Sequence, residues 1–210
     1  MDETLPLFKS HYSVGRSILT LDKKEDGMDG GPDSIIDICQ ENSLSQLYLV
    51  EDNMSGFLQA FINCEEANIQ LIFGLRLTVT EDCLDKTPES LSRGCKYIIF
   101  AKNKSGYKSL IKIFSDASKD GFYYYPRTDF KSLEKYWSDD NLMLCVPFYD
   151  SFIFKNSLEY SSCVPEFNFT TPTFFLEHNS MPFDTLITNK VESFCLDKFP
   201  TQKVQSIYYK

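Results

Sequence analysis

Short apolar runs alternate along the chain with repeats of helical period. The runs have the length of buried strands and predict strands at 47–50, 69–80, 97–101, 142–146, 173–177 and 185–188. Between them, apolar residues recur at spacings of three and four, as Ile35, Ile38 and Cys39 do behind a capping residue at Asp33 or Ser34. Helices are predicted in three places: after Ser34, over 54–67, and from a cap at 103–105 through Ala117.

Strands that alternate with helices are typical of βαβ units and of a largely parallel sheet. Functional side chains of such folds lie at the carboxyl ends of the strands. We expect one α/β domain over 1–210, with a charged, glycine-rich flexible loop at 22–32 and a break in the second strand at Gly74. Residues 150–172 show no clear period, and the structure of the C-terminal segment 194–210 is left open.

The charge balance limits the partners of the chain. It has 21 Lys and Arg against 30 Asp and Glu, a net charge of −9. Proteins that bind nucleic acid through its phosphates need a basic surface, so we do not expect direct nucleic-acid binding. Seven cysteines without a C-x-x-C pair, and no apolar run of about 20 residues, indicate reduced thiols in the cytoplasm and no membrane association.

Several motifs follow one another in an order that points to a known family. The longest is AKNKSGYKSLIKIFSDASKDGFYYYPRTDFKSLEK at 101–135, and shorter ones are Tyr12-Ser13, 47–61, 71–75, 174–177 and 186–191. Together they resemble the PHP domain of the bacterial DNA polymerase III alpha subunit. That family carries AKN-x-x-GY, GFYY-x-PR-x-D and a following LEK. The resemblance implies a single-domain, PHP-like distorted (β/α) barrel that holds up to three metals at its strand ends and hydrolyses phosphoesters.

The metal ligands of the family do not have counterparts here. Its first strand ends in H-x-H, its second in D-H, its third in a glutamate and its last in T-N-D-V-H, and a histidine commonly follows LEK. The corresponding positions are Leu7, Lys9, Glu51, Asp52, Arg76, Tyr136, Lys190 and Glu192. The two histidines of the chain, His11 and His178, match none of the ligand positions.

These replacements predict a protein without catalytic residues, metals or cofactors. Two unit charges ~4 Å apart at an effective dielectric of ~20 interact by about 4 kcal/mol, and a divalent cation roughly doubles this repulsion. Lys9, Arg76 and Lys190 would each repel a metal, and we expect them to form ion pairs with Glu51, Asp52 and Glu192. One alternative is an anion or nucleotide sensor built on Arg76 and Lys190. Another is a residual phosphoesterase or exonuclease with one metal on Glu51, Asp52 and Glu192.

A stretch of 210 residues cannot hold the other domains of a replicative polymerase, so we do not expect DNA synthesis by this chain. The resemblance implies a function as a non-catalytic protein-binding module, because the PHP domain of the polymerase can be metal-free and can dock the proofreading exonuclease. The expected partner is a DNA polymerase, a proofreading exonuclease or another replisome subunit of host or phage. The expected setting is the cytoplasm of a bacterial host cell, and the chain resembles a stand-alone, phage-encoded copy.

Overall fold

The contacts of the chain divide it into two compact units. The computed structural model describes residues 4–13, 15–23, 31–159, 163, 165 and 167–210. The first unit comprises Leu5–Leu75 and Gln205–Lys210, and the second unit consists mainly of Arg76–Val204. Strands β3 and β8 each begin in one unit and end in the other.

Parallel strands and two helices make up the first unit. Its elements are β1 (Leu5–Phe8), α1 (Ile35–Glu41), β2 (Gln46–Glu51), α2 (Phe57–Glu66) and the first half of β3 (Gln70–Thr80). Strand β2 pairs in parallel with β1 and with β3. The side-chain oxygen of Ser34 accepts a hydrogen bond from the amide of Asp37 and so caps α1, as expected of this residue type. The core of this unit includes the rings of Phe57 and Phe73, whose centroids are 5.0 Å apart.

The second unit holds the remaining strands and helices. Its elements after β3 are α3 (Pro88–Ser92), β4 (Cys95–Ala101), α4 (Lys104–Lys119), β5 (Arg127–Asp129), α5 (Phe130–Glu134), β6 (Leu142–Val146), α6 (Phe152–Leu158), β7 (Thr173–Leu176), α7 (Asp184–Cys195) and β8 (Thr201–Ile207). Strand β4 is antiparallel to β6, whereas the β3–β5, β6–β7 and β7–β8 pairs are parallel. The sheet is therefore mixed. Tyr97, Phe130, Phe167 and Phe174 form part of an aromatic core in this unit.

The motif AKN-x-x-GY fixes the start of α4. The side chain of Asn103 accepts a hydrogen bond from the amide of Gly106 at 2.9 Å and caps the helix. Gly106 lies against the backbone, since a Cβ atom at this position would be 2.1 Å from the carbonyl oxygen of Asn141. The glycine is therefore required by a close approach of two backbones.

Most of the predicted elements are present in the described residues. The strands expected at 47–50, 97–101, 142–146 and 173–177 correspond to β2, β4, β6 and β7, and the three predicted helices correspond to α1, α2 and α4. The α/β fold class of a PHP-like distorted (β/α) barrel is confirmed. Of the loop predicted at 22–32, residues 24–30 lie outside the described part of the chain. The boundaries of a single domain over 1–210 stay a prediction.

Two expectations about strands are wrong. Strand β3 is continuous at Gly74, which pairs with Val50 in the β2–β3 register. The strand expected at 185–188 is part of helix α7, because Ile187, Val191 and Cys195 are buried along one helical face. The sequence pattern also did not predict helices α3, α5 and α6 or strands β5 and β8. Helix α6 lies in the region without a clear period, and β8 lies in the C-terminal segment that the sequence left open.

One pair of cysteines is not in the reduced state that the sequence predicts. Cys95 and Cys163 form a disulfide, so the prediction of seven reduced thiols does not hold for them. The five others are free and buried. Burial raises the pKa of the Cys39 and Cys64 thiols to about 12, which keeps them protonated and unreactive at neutral pH. Among the described residues, no helix has both the length and the apolar character that crossing a membrane requires.

We expect Gly106→Ala to lower the free energy of unfolding by about 2–3 kcal/mol, because its methyl group would collide with the backbone at Asn141. Helix propensity alone predicts the opposite sign, a gain of about 1 kcal/mol. Urea denaturation measures the difference. Ser105→Ala, an exposed neighbour in the same helical turn, is the matched control and should cause little change. A stabilised Gly106→Ala protein would contradict the close approach.

Candidate functional site

Lys9 follows β1, and its charged side chain is buried in the first unit. The residue is 5% exposed, and its ammonium group donates a hydrogen bond to Oδ2 of Asp52 at 3.1 Å. Asp52 follows β2 directly. Leu7 is buried within β1, and side chains two residues apart on a strand share a face. The two positions that match the H-x-H of the family thus hold a buried apolar side chain and a paired cation.

Glu51 is the last residue of β2 and is fully buried. One carboxylate oxygen accepts a hydrogen bond from the amide of Ser10 at 2.7 Å, and the other accepts one from the hydroxyl of Ser13. The hydroxyl oxygen of Ser13 also accepts a hydrogen bond from the amide of Asp52 at 3.0 Å. Burial raises the pKa of Glu51, against the opposing effects of these hydrogen bonds and of the charge on Lys9. Lys9, Ser10, Ser13, Glu51 and Asp52 form a continuous network, which we call the Lys9 cluster.

Arg76 lies in β3, within the second unit, and has a different partner from the one expected. Its guanidinium group donates a hydrogen bond to the carboxylate of Asp150. The side chain of Arg76 is 11% exposed and that of Asp150 is 34% exposed. This carboxylate offsets the positive charge that an anion site on Arg76 would need.

Tyr136 and the two α7 positions do not lie at strand ends. Tyr136 follows α5, and its hydroxyl donates a hydrogen bond to Asp116 of α4 at 2.7 Å. Lys190 and Glu192 are exposed residues of helix α7. The expectation that they end the last strand is wrong, because that strand is β8. The end of β8 and the residue after it present Ser206, Ile207 and Tyr208 instead, which supply neither a carboxylate nor an imidazole.

A buried polar network at the start of α7 was not predicted. Asp184 is fully buried and accepts hydrogen bonds from the amides of Asn179 and Met181, at 2.8 and 3.0 Å, and from the hydroxyl of Tyr149 at 2.9 Å. Burial favours a raised pKa for Asp184, but the two amide hydrogen bonds and the Tyr149 hydroxyl outweigh it and lower the pKa. His178 places Nδ1 3.6 Å from the same carboxylate. Both carboxylate oxygens of Asp184 thus accept hydrogen bonds, two from the loop before α7 and one from Tyr149, which follows β6.

A second group of potential ligand atoms lies where the paired strands β3 and β5 end. One atom each of Asp82, Cys83 and Asp129 lies within 4.8 Å of the others. Asp129 is already engaged, since its oxygens accept hydrogen bonds from the amides of Cys83 and Ser132 at 3.1 and 2.7 Å. A cleft of about 600 Å³ nearby is mainly acidic, and its lining includes Glu81, Asp82, Asp85, Glu89 and Arg93.

Comparison with known proteins decides the family. Residues 27–155 match the PHP domain family, more than half of the chain. This protein belongs to the PHP domain family. The DNA polymerase III alpha subunit of Borreliella burgdorferi is 32% identical over 105 residues, which are 49% of this chain and 9% of that protein. The alpha subunit of Chlamydia pneumoniae is 33% identical over 100 residues, 46% of this chain and 8% of that protein.

A shorter segment is more similar still. The alpha subunit of Aquifex aeolicus is 51% identical over 39 residues, 19% of this chain and 3% of that protein. The chain therefore spans less than a tenth of the length of these curated relatives. The similarity relates it to the PHP region of a replication protein and leaves the rest of the polymerase unmatched.

The PHP motif GFYY-x-PR has a structural function in this chain. Arg127 is fully buried, and its guanidinium donates hydrogen bonds to the carbonyl oxygens of Gly121, Cys83 and Asp85 and to the hydroxyl of Ser90. Gly121 allows this approach, since a Cβ atom there would be 1.9 Å from the carbonyl oxygen of Arg127. Arg127 therefore joins β5 to the loop after β3 and does not contribute to an exposed basic surface.

A PHP metal centre needs neutral imidazoles or anionic carboxylates whose lone pairs are available. At the two positions expected to correspond to the H-x-H of the family, Leu7 has no donor atom and Lys9 is a cation. Both oxygens of Glu51 already accept hydrogen bonds from the protein, and Asp52 pairs with Lys9. These residues do not fit the multinuclear metal centre of the family.

We expect Lys9→Met to lower the free energy of unfolding by about 2–3 kcal/mol, because it leaves Asp52 and the buried Glu51 without a neighbouring cation. Urea denaturation at neutral pH measures the change. The matched control is Lys210→Met, since the pair of Lys210 with Glu41 is about half exposed and should be nearly neutral. Equal effects of the two substitutions would contradict a structural function of Lys9.

The raised pKa of Glu51 predicts a pH dependence of stability. The folded protein binds the proton of Glu51 more tightly than the unfolded chain does, so charging this residue opposes folding. Relative to Glu51→Gln, the free energy of unfolding of the wild type should fall as the pH rises from the ordinary value of 4.5 through the raised pKa. Urea titrations of both proteins at a series of pH values measure the difference. A difference that grows in favour of the wild type with rising pH would show that Ser10, Ser13 and Lys9 outweigh burial.

Proposed function

We propose that this PHP domain is a non-catalytic protein-binding module of DNA replication that docks on a DNA polymerase, a proofreading exonuclease or another replisome subunit. The proposal rests on the position and the ion pair of Lys9. The sequence predicts that Lys9 corresponds to a metal ligand of the family, and its ammonium group forms a partly buried ion pair with Asp52 at 3.1 Å. A site that contains its own cation has no need of a metal to balance its carboxylates.

The replication context rests on the relatives. The similar regions belong to DNA polymerase III alpha subunits, and the chain matches only their PHP part. The net charge of −9 favours a protein partner over direct contact with nucleic acid.

The two alternatives receive less support from the geometry. A residual phosphoesterase would need Glu192 beside Glu51 and Asp52, yet Glu192 is an exposed residue of α7. An anion or nucleotide sensor would need free charge on Arg76 and Lys190, yet Arg76 is paired with Asp150. The exposure of Glu192 and the pairing of Arg76 therefore favour the docking function over both alternatives.

We also propose a cytoplasmic setting in a bacterial cell, with the gene carried by the host or by a phage. The proteins to which the chain is similar are DNA polymerase III alpha subunits of bacteria. Because disulfides are uncommon in a reducing cytoplasm, this setting predicts that the Cys95–Cys163 disulfide is reduced in the cell.

Two measurements on the purified protein test the proposal. We expect hydrolysis of bis(p-nitrophenyl) phosphate with Mn²⁺ or Zn²⁺ to be no faster than that of the Glu51→Gln variant, because no metal is held. We expect a near-stoichiometric complex with the purified DNA polymerase III alpha subunit or its proofreading exonuclease in size-exclusion chromatography. A metal-dependent rate that Glu51→Gln abolishes would contradict the non-catalytic assignment, and failure to bind any replisome subunit would contradict the docking function.

A further inference from the structure

Helix α2 has two apolar faces, one of which is exposed. Phe57, Ala60 and Cys64 are buried against the first unit. Leu58, Phe61 and Ile62, in contrast, are 68%, 47% and 45% exposed. Residues three and four apart lie next to each other on a helix, so these three side chains form one continuous apolar surface. Single exposed apolar residues are ordinary, whereas contiguous large ones mark interaction surfaces.

Carboxylates lie at the end of this surface. Glu65 continues it, four residues beyond Phe61, and both Glu65 and Glu66 are exposed in the last turn of α2. That turn contains no basic residue, and carboxylates there interact unfavourably with the helix dipole. Lys23 pairs with Glu66, so one of these two carboxylates has a cation within the protein. The local stability of α2 does not account for Glu65, whereas a cation on a partner would.

We propose that Leu58, Phe61, Ile62 and Glu65, which we call the α2 stripe, receive an amphipathic helix of another protein that carries basic side chains beside its apolar face. Helices that bind in this way place apolar anchors at spacings of three, four and seven, the same spacing that the α2 stripe presents. The inference rests on the proposed docking function and names the surface that performs it.

A second copy of this chain is a poor occupant of the α2 stripe. In a parallel arrangement of two α2 helices, Glu65 would meet Glu65. In an antiparallel arrangement it would meet the start of the helix, where Asn53, Met54 and Ser55 offer no cation. The net charge of −9 opposes the approach of two copies as well. Charge complementarity therefore favours a basic partner.

The test uses two labelled synthetic peptides of about 16 residues, long enough for a helix that spans the stripe. Both carry Leu at helical spacing, and one has Lys and the other Glu at the flanking positions. In fluorescence anisotropy titrations, we expect the wild type to bind the basic peptide about tenfold more tightly than the acidic one. Phe61→Ser should weaken binding of the basic peptide about 30-fold, since it removes a central anchor.

Matched variants keep the test specific. Ile111→Ser changes a residue of α4 that is 43% exposed, similar to Phe61, and should bind both peptides as the wild type does. The double variant Glu65→Lys/Glu66→Lys should prefer the acidic peptide. Far-UV circular dichroism verifies that every variant is folded, which is expected because all four changed residues are exposed. Equal affinity of the two peptides for the wild type, or unchanged binding by Phe61→Ser, would overturn the proposal.

The purified replisome subunits separate this inference from the proposed function. If a subunit binds the wild type and Phe61→Ser equally, the docking function stands and the α2 stripe is refuted as its surface. If the basic peptide binds the stripe but no replisome subunit binds the protein, the stripe is supported and the replication function fails. Sedimentation velocity measures whether the protein forms a dimer. A dimer that Phe61→Ser abolishes would overturn the choice of partner, because a second copy would then occupy the stripe.

Discussion

Lys9 and Glu51 carry ionisable groups into the interior of the first unit, and every polar group buried there must find its partner within the protein. This requirement determines the arrangement of the Lys9 cluster. The amide of Ser10 and the hydroxyl of Ser13 engage both oxygens of Glu51, and Lys9 engages Asp52. Each of these hydrogen bonds stabilises the fold and, by the same act, removes a lone pair from metal coordination. Stabilising the fold and binding a metal therefore compete for the same carboxylate oxygens. In the Lys9 cluster these oxygens accept hydrogen bonds that stabilise the fold.

The second unit meets the same requirement with different groups. Arg127 is fully buried, and its described hydrogen bonds include none to a carboxylate. Its guanidinium group donates hydrogen bonds to three carbonyl oxygens and one hydroxyl oxygen. The ring of Tyr123 lies 5.1 Å from the guanidinium carbon and adds a cation–π contact. Because backbone carbonyls do the binding, the position of Arg127 depends on the path of the chain and not on any one neighbouring side chain. The longest motif shared with the family thus specifies local backbone geometry.

Elements whose residues each have one physical reason to occur could be predicted from the sequence. The apolar runs of β2, β4 and β6 and the capping residues Ser34 and Asn103 are of this kind. Helix α7 could not be predicted, because the adjacent Leu186 and Ile187 resemble a strand although the burial of Ile187, Val191 and Cys195 follows a helical period. Strand β8, TQKVQSI, contains a single buried apolar residue, Val204, and its strand conformation depends on pairing with β7. Pairing of that kind cannot be deduced from local pattern.

The candidate site also contains one ion pair that the sequence predicts and one that it does not. Lys9 and Asp52 both follow strands that a local motif identifies, and their ion pair agrees with the pairing expected from the sequence. The partner of Arg76 is 74 residues away in the chain, and no local pattern indicates Asp150. If the site holds no metal, as we propose, the cation of Lys9 explains how the fold remains stable. Carboxylates such as Glu51 and Asp52 repel one another when no positive charge lies between them, and a lysine supplies that charge without a coordination geometry to satisfy. A PHP scaffold with such an internal cation can remain stable while its surface, and not its strand ends, is free to acquire a function.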